Sequence, residues 1–236
     1  MINKALLKVI FGLITLFVIS CSKKKDDTTI VLNRDSIELI AGAKDTVSIL
    51  SDSHEYVVTT DNENVASATI DGENIIIKTS EMGNAILTVK DQLNNTSEIN
   101  VSAVGPRYGG WIEEFPVGVE FTFVESGNEE ITEQIKSELL TQAEKRGYRP
   151  MYNFHYPDDF SYHSGDGSVT EKGSYSVKDL ILTISYDNKK EFYDIISCYP
   201  SFMLLKQDLT TEYVEQYPDA GITKVEEYRR LAYITY

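Results

Sequence analysis

The sequence predicts a mainly β protein: an N-terminal β-sandwich, then an antiparallel β-barrel or half-barrel carrying one amphipathic α-helix. Three observations predict it. Short runs of alternating apolar and polar residues recur from residue 36 onward, the period of a strand with one buried face. Gly, Asn and Asp turn signals punctuate these runs. An apolar repeat of four residues occurs once, between 129 and 146, which calls for a single packed helix.

The first twenty residues belong to neither unit. Lys4 and Lys8 make the start positive, and residues 9–19 are apolar apart from Gly12 and Thr15. That is the length of a signal-peptide core and too short for a membrane-spanning helix. The run ends in Val18-Ile19-Ser20-Cys21 and opens onto Ser22-Lys23-Lys24-Lys25-Asp26-Asp27. The pattern resembles the lipobox of bacterial lipoproteins. The resemblance implies cleavage before Cys21, lipid on that cysteine and attachment to the outer membrane; an ordinary secretory signal or an uncleaved anchor is the alternative. Each buried methylene of such a lipid stabilises the bound state by about 0.8 kcal/mol, so several chains together hold firmly. Residues 21–29 are small or charged and read as a flexible tether. The Lys and Asp run is similar to signals that place some lipoproteins on the cell surface, and is equally consistent with a solvated linker.

Residues 30–104 carry strand patterns at 36–40, 45–49, 55–60, 65–70, 73–78, 85–90 and 98–103. Asp71-Gly72 joins two of them as a hairpin, because both residues tolerate positive φ. The order of Gly42, the segment 56–61, Val65 to Ile70, Asp71-Gly72 and Gly83-Asn84-Ala85-Ile86-Leu87-Thr88-Val89 resembles bacterial Ig-like domains of the BIG-2 type. Such domains serve as spacers or adhesive modules, and the resemblance implies a stalk. With Cys21 committed to lipid, Cys198 has no partner, so the fold rests on apolar packing rather than on disulfides. Cys198 lies in an apolar strand pattern and reads as a structural thiol.

Residues 105–236 form the second unit. Gly105-Pro106-Arg107-Tyr108-Gly109-Gly110 serves as linker, and Trp111, the sole tryptophan, follows. Residues 117–123 alternate as a strand. Asn128 caps the helix expected at 129–146, where Ile131, Ile135, Leu139 and Ala143 form the apolar stripe and Gly147 ends it. Strand patterns then follow at 151–156, 160–163, 168–177, 180–186, 191–198, 201–206 and 225–236. Consecutive hairpins favour an up-and-down barrel. Gly109-Gly110-Trp111, Tyr152-Asn153-Phe154, Gly173-Ser174-Tyr175-Ser176-Val177 and Leu180-Ile181-Leu182-Thr183-Ile184 resemble lipocalin-like domains of bacterial lipoproteins. That resemblance implies an interior for a small ligand, although small barrels are often filled by their own side chains.

Trp111, Tyr148, Tyr152, Tyr156 and Tyr162 are the candidate ligand-binding residues, since aromatic faces stack on sugars and other ring ligands. His155, Asp158, Asp159 and His163 meet no known metal-ligand spacing, so no metal and no cofactor are expected. There is no nucleophile elbow and no phosphate-cradling glycine loop. The acid pairs Glu113-Glu114 and Glu226-Glu227 are adjacent, and adjacent strand residues point to opposite faces. No catalytic residue is therefore expected. The chain has 22 Lys and Arg against 37 Asp and Glu, a net charge of −15, which argues against a nucleic-acid partner. The leading expectation is a non-enzymatic, lipid-anchored envelope or surface protein, whose stalk presents a head that binds a small molecule, a glycan or an envelope protein. A structural component with a filled barrel is the alternative, and a glycan-acting hydrolase the third.

Overall fold

The computed structural model describes residues 29–51, 55–114, 121–155, 157–187 and 189–234. Cys21, the signal segment, the tether up to residue 28, Tyr156 and most of the strand expected at 117–123 lie outside the described residues. The fold is mainly β, with sixteen strands and two helices among the described residues.

Seven strands build the first unit: β1 (Ser36–Ile40), β2 (Lys44–Ser48), β3 (Tyr56–Thr60), β4 (Ala66–Asp71), β5 (Asn74–Thr79), β6 (Gly83–Asp91) and β7 (Thr96–Val104). They form one sheet in the order β1-β7-β6-β3 and a second in the order β2-β5-β4. Strand β1 pairs with β7 in parallel; the other pairings are antiparallel. The alternation seen in the sequence sets the facing layers. Leu87, Val89, Ile99 and Val101 of one sheet are buried, as are Val47, Ile75 and Ile77 of the other. The β4–β5 ladder ends at Asp71 opposite Asn74, so Gly72 and Glu73 form its turn, with Gly72 at φ +59°.

The second unit closes on itself. Its ring strands are β8 (Gly109–Glu113), β10 (Met151–His155), β11 (Asp159–His163), β12 (Thr170–Lys178), β13 (Ile181–Tyr186), β14 (Lys189–Cys198), β15 (Phe202–Asp208) and β16 (Lys224–Tyr233). Neighbours pair antiparallel in that order, and β16 then pairs with β8 to complete an eight-stranded barrel. Between β8 and β10 the chain makes an excursion through β9 (Thr122–Glu125) and helix α1 (Glu129–Lys145). Strand β9 pairs with the first half of β16 while β8 pairs with the second, so these two strands share one side of β16. A short helix, α2 (Thr210–Gln216), joins β15 to β16. No helix among the described residues is long and apolar enough to cross a membrane.

The two ends of the barrel differ. The end bearing the linker, the β12–β13 turn and the β14–β15 turn is filled by apolar side chains, among them Trp111, Phe154, Leu182, Ile184, Met203 and Leu231, each at most 1% exposed. This end faces the sandwich. Asp179 and Leu180 form a two-residue turn, both at positive φ, and dock on it through Asp179 N–H to the Ser80 carbonyl (2.9 Å) and Leu180 N–H to the Ala41 carbonyl (2.9 Å). Lys178 adds an ion pair to Glu81 at 2.6 Å. The opposite end, where α1, α2 and the β11–β12 and β13–β14 turns gather, is the open mouth.

Candidate functional site: the charged mouth of the barrel

Helix α1 reaches the mouth because its sequence specifies both its start and its buried stripe. The Asn128 side-chain oxygen accepts from the Glu130 and Ile131 N–H groups (3.0 and 3.3 Å), meeting two donors that the first turn leaves unpaired. Ile135 and Leu139 pack with Tyr213 of α2 and Val225 of β16 in a small cluster of their own. Arg146 caps the C-terminus, and its carbonyl accepts from Gly165 N–H (2.9 Å), which seats the helix end on the β11–β12 turn. The Arg146 side chain is thereby turned onto the barrel.

Below it lies a layer of buried charge. One Arg146 nitrogen, Nη2, donates to Glu113 of β8 at 3.0 Å and to Glu227 of β16 at 2.7 Å. Both carboxylates are no more than 5% exposed. Glu227 also accepts from Arg229 Nη2 at 3.0 Å. Arg229, 10% exposed, further donates to the Tyr193 hydroxyl (2.8 Å), the Tyr152 hydroxyl (3.3 Å) and Gln207 (3.2 Å). Tyr152 in turn donates to Glu113 at 2.7 Å, and Tyr193 to Glu191 at 2.7 Å. Alternation explains the convergence: on β16, residues 225, 227, 229 and 231 share the inward face.

Burial would raise the Glu227 carboxyl, but the charges of Arg229 and Arg146 outweigh it and hold the group below the usual carboxylate range. Burial would likewise raise Glu191, and hydrogen bonds from Lys189, Tyr186 and Tyr193 reverse that. Glu171 goes the other way: burial raises it, and the neighbouring carboxylates Glu191 and Asp187 add to the rise against Lys189. Tyr162 is pushed up to about 12, by burial first and then by Glu113.

Above this layer lies a cavity of about 520 Å³, within the roughly 300–1,000 Å³ range of small-molecule sites. One wall is aromatic and belongs to β10 through β13: Tyr152, Phe160, Tyr162 and Tyr186. The facing wall comes from Gln142 and Lys145 of α1, its C-cap Arg146, and Glu212 and Tyr213 of α2. Phe160 and Tyr186 flank Gly173 in register on either side, and their rings approach to 6.3 Å at an interplanar angle of 25°. The Arg146 Nε is buried with no acceptor among the described residues.

Of the candidate ligand-binding residues, Tyr152 and Tyr162 meet in the cavity, edge to face at 5.2 Å. Trp111 stands opposite Tyr152 in register but is wholly buried, its Nε1 donating to the Arg107 carbonyl at 2.8 Å. Tyr148 is 73% exposed and is not part of the cavity wall. Tyr156 lies outside the described residues. His155 and His163 stand at opposite ends of the β10–β11 ladder, and no group of His, Cys, Asp and Glu among the described residues could hold a metal ion. The Cys198 thiol is pushed up to about 11 by burial.

The acid pairs split between faces. Glu113 and Glu227 point inward, while Glu114 pairs outside with Arg230 at 3.0 Å, and Glu226 with Lys206 at 3.4 Å and Lys224 at 3.2 Å. Their inward members nevertheless meet through Arg146, across strands. Arg146, Glu191 and Arg229 are site residues that sequence reasoning missed, and Glu113 and Glu227 were named there only as members of acid pairs without a role. For those on strands, the available signal was that a polar residue occupied the inward phase; Arg146, at the end of a helix, gave none. Set against known proteins, the chain matches no family model and no curated protein, so the meaning of the mouth rests on its own residues.

Proposed function

We propose that the chain is a non-enzymatic lipoprotein, held on the outer membrane through lipid on Cys21 and displayed at the cell surface. A bacterial Ig-like stalk of the BIG-2 type would carry a lipocalin-like head that binds a small molecule or glycan in its mouth. One observation carries this reading: a cavity of about 520 Å³, walled by aromatic rings on one side and charged side chains on the other, at the barrel end away from the sandwich. Native mass spectrometry of the purified full chain tests it. A bound small molecule that leaves when the mouth is blocked by Tyr162→Trp supports the binder, and an empty barrel counts against it.

The anchor has its own test. Cys21→Ala is expected to move the protein from the membrane fraction to the soluble one with both units still folded. Retention in the membrane fraction after cleavage would refute the lipobox reading. A second reading, a component of an envelope complex, draws support from the filled half of the barrel and from Ile181, Phe192 and Ile196, which are 42%, 57% and 50% exposed on its outer surface. A protein that co-purifies with a ligand-free head would favour it. The third reading, a glycan-acting hydrolase, needs a general acid with a raised carboxyl; Glu171 is the cavity carboxyl raised by burial, while Glu227, paired with two arginines, is held low. Turnover in a glycosidase panel, lost in Glu171→Gln, would favour that reading.

A further inference from the structure

The charges at the floor of the mouth are already spoken for, which makes the unpaired groups above them informative. Every nitrogen of the Arg229 guanidinium has an acceptor within the protein. Arg146 differs. Its Nη2 is shared between Glu113 and Glu227, while its Nη1 has no acceptor among the described residues. A guanidinium donor at the cavity wall with no partner in the protein is free to take an acceptor that arrives with a ligand; Nη1 can do so, whereas Nε is closed off from the cavity. Lys145 and Lys190 also line the cavity and form no ion pair within the described residues. Glu171 and Glu212, equally without an ion pair, offer acceptors for hydroxyl groups, and Tyr162 and Tyr186 offer ring faces.

We infer that the mouth takes a sugar acid: a hydroxylated ring bearing a carboxylate, with the carboxylate directed to Arg146 and the lysines at the rim. The hydroxyls would donate to Glu171 and Glu212, and the apolar face of the ring would lie on the tyrosines. The planar guanidinium suits a planar carboxylate. Neither a neutral sugar nor a carboxylate without hydroxyls would satisfy both sets of groups. The inference rests on the mouth being a ligand site and adds the class of ligand.

Titration calorimetry on the full mature chain in detergent tests it with three probes: glucuronate, glucose and benzoate. Saturable binding of glucuronate is expected, with glucose and benzoate each weaker by about tenfold or more, the worth of one charge-assisted contact. Arg146→Lys keeps a cation beside Glu113 and Glu227 but removes the second guanidinium arm, and should shrink the preference for glucuronate over glucose. Lys145→Glu with Lys190→Glu leaves the buried layer untouched and should shrink it too, so a failure of the first variant to fold does not remove the test. Glucose binding as tightly as glucuronate overturns the inference, as does a preference unchanged in both variants. If none of the probes binds while native mass spectrometry finds another small molecule in the mouth, the sugar-acid class fails and the ligand site stands. If nothing is bound at all, both fail.

Discussion

Arg229 and Glu227 show how far single residues decide this barrel. Two guanidinium groups and two carboxylates lie within one layer of the interior, and removing one partner of a buried ion pair costs about 3–5 kcal/mol because the other is stranded. Arg229→Met is therefore expected to destabilise the head by about that amount, read from the urea midpoint of the full chain. Acid should act on the same layer. The folded-state value of Glu227 lies below the ordinary 4.5. Its contribution is complete above pH 4.5 and drains away as pH falls through the lower folded value. Glu191 is depressed in the same direction. Stability should thus decline below pH 4.5, and Glu227→Gln, which no longer titrates, should lose less over that interval while starting lower. Equal slopes in the two proteins would show that Glu227 is not ion-paired in solution.

At the scale of elements, the period-two pattern made most strands legible, because inward apolar residues such as Leu182 and Ile184 alternate with residues on the outer face. The helix at 129–145 was equally plain from its cap and stripe. Helix α2 left no such trace: it has seven residues and no side-chain hydrogen bond at its N-cap. Barrel closure was not legible either, since β8 and β16 pair across about half the chain and nothing local encodes that partner. The charged layer draws on β8, α1, β10, β14, β15 and β16, and a polar residue facing inward looks the same in a sequence as one facing water. Gly173 has a different role, visible only in the sheet. A Cβ there would come within 1.9 Å of the Ser185 carbonyl oxygen, so β12 and β13 could not keep their spacing while Phe160 and Tyr186 close over the gap. Gly173→Ala is expected to lower stability by about 1–3 kcal/mol, with a lowered thermal midpoint as the measurement. An unchanged midpoint would mean that the strands yield without cost.

For the molecule as a whole, the contact between sandwich and barrel fixes where the mouth points. Gly42 sits at φ +99°, and a side chain there would meet the Leu180 backbone nitrogen at 2.1 Å. Gly42→Ala should therefore part the two units and enlarge the radius of gyration seen by small-angle scattering, leaving each unit folded. An unchanged radius would show that the docking survives without this close approach. Strand β16 holds a further consequence, one of timing. It seals the barrel against both β8 and β15, and it also brings Glu227 and Arg229 to the floor of the mouth. Until that last strand arrives, β8 and β15 are open edges of a seven-stranded sheet, free to pair with another molecule. Closure joins segments far apart in the chain, the kind of contact that forms slowly. The step that creates the site is thus the same one that ends the exposure to aggregation, so a folding intermediate of the head would be sticky and unable to bind at the same time.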